Sequence, residues 1–137
     1  MRTKLLVLAG LVAAGVAAPA SWPQHPSADG GFRLRHQPGW RVTESFGSGG
    51  VPLSLLPPKG DGISVLATAT EPPAPATPCR PVRVGWLEGS RRQDAEAALV
   101  TTTLEGPDRW FVLTASLRRA AAPAGAYDRV LASFRLS

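Results

Sequence analysis

The stretch "ALVTTTLEGPDRWFVLTASL", Ala98–Leu117, carries the clearest fold signal in the chain. Its second half, "RWFVLTASL", is rich in β-branched and aromatic residues and apolar on both faces. That pattern predicts a strand at the centre of a sheet. "GPD", Gly106–Asp108, has the chemistry of a turn. "ALVTTTLE" then reads as the antiparallel partner across that turn, and the two form a hairpin.

Working outward, the signals weaken in one place and repeat in others. The segment "SRRQDAEA" upstream is ambiguous: Gln93 to Leu99 allows a helical turn or two, whereas Val100 to Thr103 pulls toward strand. "VRVGWLEG" has strand character, with Val82, Val84 and Trp86 in phase. "VPLSLL" places Val51, Leu53 and Leu55 on one face, and "ISVLATA" places Ile63, Val65 and Ala67 on one face. "FRLRH" alternates Phe32, Leu34 and His36 with Arg33 and Arg35, which predicts a half-buried strand with the arginines on its wet face. "QPG" follows: Pro38 fixes φ and Gly39 admits φ > 0, as a type II turn requires. Trp40 is then placed to cap the core, and "RVTESF" continues as a short strand. Near the C-terminus Tyr127, Val130, Leu131 and Phe134 recur at i, i+3, i+4 and i+7, one face of a helix packing on a sheet. "SFRLS" allows a return to extended chain. Together these elements predict an α+β domain: an antiparallel sheet with a C-terminal helix packed on it.

The chain has 137 residues. Residues 1–20 read as a signal peptide. Arg2 and Lys4 supply a positive start, "LLVLAGLVAAGVAA" is an apolar run, and "APA", Ala18–Ala20, is a small-x-small site that places cleavage before Ser21. The run is short for a membrane span of ~20 residues, although an uncleaved anchor is the alternative. The expected location is therefore exported, periplasmic or extracellular, with no membrane span after cleavage. Residues 21–31 are polar and contain two prolines within "SWPQHPSADG", which predicts a flexible N-terminal arm. Residues 32–137 form one domain.

Of 15 basic residues, Arg2 and Lys4 leave with the leader, so 13 remain against 10 acidic ones and the net charge is +3. Almost all of these are arginine in a chain crowded with Ala, Gly and Pro. That is the usage a GC-rich genome produces by default, and with no basic run or binding motif it predicts no nucleic-acid partner.

Catalytic and metal signatures are missing from the sequence. No G-x-S-x-G elbow is present, and "GSGG" lacks the Lys-Ser/Thr ending of a phosphate loop. His25, His36 and Cys79 are the strong zinc-ligand types, yet no two are closely spaced. "KGDG" offers calcium one carboxylate, Asp61. Asp94 and Glu96 form a carboxylate pair in a segment expected to be solvated. No cofactor, metal or catalytic residue is assigned. Cys79 is the only cysteine, so it cannot form an internal disulfide. It is an inert thiol or half of an intermolecular bond.

"EPPAPATPCRP", Glu71–Pro81, holds five prolines in eleven residues. It can be neither helix nor central strand and reads as an extended connection. Proline pre-orders it, which lowers the entropy lost on docking. Pro72, Pro73, Pro75, Pro78, Cys79, Arg80 and Trp86 are therefore the candidate surface for a protein partner or a second copy.

Three features taken in order resemble the PsbP-like family, the bacterial exported relatives of the photosystem II extrinsic protein. They are a phenylalanine-led strand ending in Pro38-Gly39-Trp40, the central "FVLTASL", and a closing "YDRVLASFRL" with Ser133-Phe134-Arg135. The resemblance runs from Phe32 to the C-terminus. It implies an antiparallel sheet with helices and a binding or assembly role without catalysis. Family members commonly carry a helix where the proline segment stands here, so one sheet face is expected to be thinly covered. The function expected is an exported, non-catalytic binding or assembly module. The alternative is a small secreted hydrolase or metal-dependent enzyme using His36.

Overall fold

In a computed structural model, residues 17–27, 30–45, 50–73, 79–94, 96, 98–116 and 124–137 are described. Ten strands and one helix occur among them. A three-stranded antiparallel sheet has the order β1-β2-β10: β1 is Gln24–Pro26, β2 is Phe32–Arg35 and β10 is Arg135–Leu136. A seven-stranded antiparallel sheet has the order β3-β4-β5-β9-β8-β7-β6. Its strands are β3 (Arg41–Glu44), β4 (Val51–Leu56), β5 (Ile63–Thr68), β6 (Arg80–Val84), β7 (Leu87–Asp94), β8 (Leu99–Glu105) and β9 (Trp110–Ser116). Helix α1 covers Ala124–Ser133.

This corrects the expected α+β class. The protein is β-rich, with two antiparallel sheets and one short helix. The reason lies in what faces the large sheet. The helical stripe of Tyr127, Val130 and Leu131 is real and buried. Beside it, however, the second layer is completed by the small sheet, whose Phe32 meets Phe111 of β9 edge-on at 5.8 Å. Phe134, just past the helix, stacks on Phe32 and meets Phe111 edge-on, both at 5.1 Å. Such ring pairs contribute ~0.5–1.5 kcal/mol beyond the burial of their area.

The hairpin of β8 and β9 is present, and β9 stands in the middle of the large sheet. Its two faces differ. Phe111, Leu113 and Ala115 are buried on the core side, while Trp110, Val112, Thr114 and Ser116 are only half-buried on the other. In "FRLRHQPGW" Phe32 and Leu34 are fully buried and Arg33 and Arg35 are not. Gly39 has φ +86° and the Trp40 amide donates to the Gln37 carbonyl, which closes the expected turn. There the chain changes sheets, so β2 and β3 never pair. Trp40 is half-buried against the core, whereas Phe134 is fully inside it.

One open segment is decided and two local expectations fail. Gln93 and Asp94 belong to β7, where pairing with β8 overrides helix propensity. Trp86 is not in strand phase: Gly85, at φ +62°, turns the chain between β6 and β7 and leaves Trp86 65% exposed. Within the expected arm 21–31, Gln24–Pro26 pairs with β2, and Trp22 joins the core cluster. Backbone pairing and one buried indole hold a stretch whose composition alone looked loose. Of the expected signal peptide, residues 1–16 lie outside the described residues.

Candidate functional site

The two faces of the large sheet have different cover. On the core face, Tyr127 and Asp128 of α1 clamp the sheet. The Tyr127 hydroxyl bonds Thr102 Oγ1 and the Leu113 carbonyl. Arg91 donates to Asp128 Oδ1 at 2.7 Å and lies over the Tyr127 ring, 5.4 Å from its centroid. Burial raises the Tyr127 pKa to about 12.

The opposite face is a groove. Register aligns Ser90, Thr103 and Val112 in one cross-strand row, and Arg92, Thr101 and Thr114 in the next. Period two sends all six away from the core, and Trp110 and Leu99 point the same way. β5 and β6 are the third and seventh strands of the sheet, so the chain between them is a crossover. The described ends of that connection, Glu71–Pro73 and Cys79, lie over the outward rows. Thr68 Oγ1 accepts from the Thr70 amide and shapes the exit from β5. Floor and roof enclose a groove of about 600 Å³. Its apolar lining is Trp110, Val112, Leu99 and prolines, and its polar lining is threonine hydroxyls, Arg92 and Glu71.

The candidate partner residues are therefore only partly gathered. Pro72, Pro73 and Cys79 line the groove. Arg80 opens β6 and, with Cys79, Arg91 and Gln93, lines a smaller hollow of about 270 Å³. Trp86 stands away at the β6–β7 turn. Pro75 and Pro78 lie outside the described residues. Sequence reading missed the floor. Its signal was present in the alternation of Thr101 and Thr103 with Val100, Thr102 and Leu104, but alternation does not say what covers the outward set.

His36 is buried, and its Nδ1 sits 2.9 Å from the Gln37 carbonyl. His25 Nε2 lies 3.3 Å from Glu44 Oε1, and the Ser27 hydroxyl donates to Glu44 Oε2. The Ser27 hydroxyl also accepts from the Gly30 amide at 2.8 Å. Serine, glutamate and histidine thus meet, a cluster spacing did not suggest. The serine bonds the acid and not the imidazole, which is the reverse of a nucleophile–base pair. Among the described residues no group of three or more His, Cys, Asp or Glu could hold a metal ion.

No family model and no curated protein matches the chain. A crystal structure at 1.50 Å of a protein from Bacteroides thetaiotaomicron VPI-5482 is similar in fold, with a TM-score of 0.57 at 11% identity. The match covers 83% of this chain and 48% of the other, so this chain spans about half the length of that protein. At such identity the likeness concerns the fold alone.

Proposed function

We propose that the protein is an exported, non-catalytic binding module whose ligand lies in the groove between the outer face of the large sheet and the described ends of the β5–β6 connection, Glu71–Pro73 and Cys79. The groove itself carries the reading. Its volume falls in the range of small-molecule sites, roughly 300–1,000 Å³. Trp110 and Val112 offer a flat apolar floor, and three threonines, Ser90 and Arg92 offer polar anchors. The ligand class is a small molecule with an apolar body and an acceptor or anionic group for Arg92.

The edge strand β6 favours a ligand under the roof over an added strand from a protein partner or second copy. Pro81 sits inside β6, lacks an amide donor and blunts that edge. The binding role also agrees with the PsbP-like resemblance. Ser133 accepts from the Arg35 amide at 2.8 Å and donates to the Val130 carbonyl, tying α1 to β2, so its place in the shared motif is architectural. A non-catalytic reading is supported by the burial of His36, which lines neither the groove nor the hollow beside β2. Export rests on Arg2, Lys4, the apolar run and Ala18–Ala20. N-terminal sequencing of secreted protein should begin at Ser21, and a mature chain that retains Met1 would refute cleavage.

The groove is tested with anilinonaphthalenesulfonate, an apolar anionic dye. Saturable one-to-one binding is expected, lost in Trp110→Ala and weakened in Arg92→Gln. Equal binding by folded Trp110→Ala would place the dye elsewhere and overturn the reading.

A further inference from the structure

We infer that the outer face of the three-stranded sheet is an oxyanion site built by Arg33, Arg35 and Arg135. Arg33 and Arg35 are two apart on β2 and so share a face. The register sets Arg135 of β10 directly opposite Arg33, and Gln24 of β1 directly opposite Arg35. All four line one hollow together with Ser133 and Ala132; Ala17 and Ala18, which also border it, belong to the proposed leader, so in the chain from Ser21 the hollow is open on that side.

Charge is the unusual feature. Like charges directly opposite across a strand pair are destabilising. Among the described residues no carboxylate lines the hollow. Among the described residues the ion pairs use His25, Arg83, Arg91 and Arg109, and none of these three arginines. The cross-strand repulsion between Arg33 and Arg135 is one that a bound anion would relieve.

The three side chains are also held in place. Arg33 Nη1 donates to the Leu136 carbonyl at 2.9 Å. Arg35 Nη1 donates to the Trp22 carbonyl at 2.8 Å, an anchor that remains after cleavage before Ser21. Arg135 Nη1 donates to the carbonyls of Phe134 and Ala132. These bonds use one nitrogen of each guanidinium, whose planar fork has further N–H donors to offer. Anchoring the forks beforehand lowers the entropy cost of gripping a ligand, and the fork matches phosphate or carboxylate oxygens. The ligand is a small multivalent oxyanion. It reaches the site as a free phosphate-type ion or as the headgroup of an anionic lipid. The site lies on the small sheet and does not depend on the groove.

The test uses the mature chain from Ser21 at low ionic strength, with pyrophosphate in calorimetry and phosphatidylglycerol vesicles in co-sedimentation. One-site binding of pyrophosphate identifies the free ion. Binding to phosphatidylglycerol but not phosphatidylcholine vesicles, without pyrophosphate binding, identifies the headgroup. In either arm Arg135→Gln should weaken binding about ten-fold, the effect of losing a charge-assisted hydrogen bond, while Arg92→Gln leaves it unchanged. Arg33→Lys keeps the charge and removes the fork. It serves as the second variant, and arginine Nε–H NMR shifts on the wild type give a readout that needs no variant. Binding to neither probe, or binding that Arg135→Gln and Arg33→Lys leave intact, overturns the proposal.

Discussion

The Tyr127 hydroxyl lies 2.7 Å from Thr102 Oγ1 and 2.9 Å from the Leu113 carbonyl, inside the core. A carbonyl only accepts, so the tyrosine proton goes to Leu113 and the threonine proton goes to the tyrosine oxygen. One helix side chain thereby joins β8 to β9 beneath α1. Thr102 is fully buried and relies on this partner. Tyr127→Phe should cost about 1–3 kcal/mol, because Thr102 is left unsatisfied. Adding Thr102→Val should recover part of the loss in urea titrations. Simple additivity of the two losses would show that the pair is not coupled.

The same tyrosine gives a pH signature. Its pKa is raised to about 12 by burial, against an ordinary value near 10. A raised pKa means the neutral form is favoured in the folded state. The associated stability is complete below about pH 10 and is lost as pH rises through about 12. Tyr127 is the only tyrosine, so tyrosinate absorbance reports it alone. The folded protein should titrate with an alkaline midpoint well above that of the denatured chain. Equal midpoints would contradict the burial.

Phe134→Ala removes the ring that contacts both Phe32 and Phe111 and should cost ~3–5 kcal/mol. Trp40→Ala should cost clearly less, since Trp40 only leans on the core. Denaturant midpoints at constant slope measure both. A larger loss at Trp40 would reverse the assignment.

At Gly39 the φ of +86° meets open space, with nothing within 4 Å of an added Cβ. Gly39→Ala should therefore cost only the backbone term, about 1–2 kcal/mol. Gly89 has the opposite problem: a Cβ there would lie 1.8 Å from the Thr103 carbonyl oxygen. Gly89→Ala should be the more damaging of the two in thermal melts, because it forces β7 off β8.

Replacing residues 72–81 by a Gly/Ser chain of equal length should leave the protein folded and abolish dye binding in the groove. Light scattering on the same variant tests the partner surface expected from the sequence. Loss of a wild-type oligomer would show that the segment also joins copies.

Strands β2 to β5, β8 and β9, the Pro38-Gly39 turn, the β8–β9 hairpin and the buried stripe of α1 were legible because each depends on neighbours in sequence. Alternation marks which residues of a strand are alike, and a turn residue acts where it stands. Pairing between distant strands leaves no such mark. β10 meeting β2, β5 meeting β9, and the split of β2 and β3 into separate sheets were decided by which apolar faces could be buried together. That choice made the protein β-rich and gave Gln24–Pro26 a partner. The candidate sites follow the same division. Arg33 and Arg35 were readable as a wet face, but only the fold set Arg135 opposite Arg33. Thr101 and Thr103 were readable as facing away from Val100 and Leu104, but only the crossover from β5 to β6 put a roof of Pro72 and Pro73 above them.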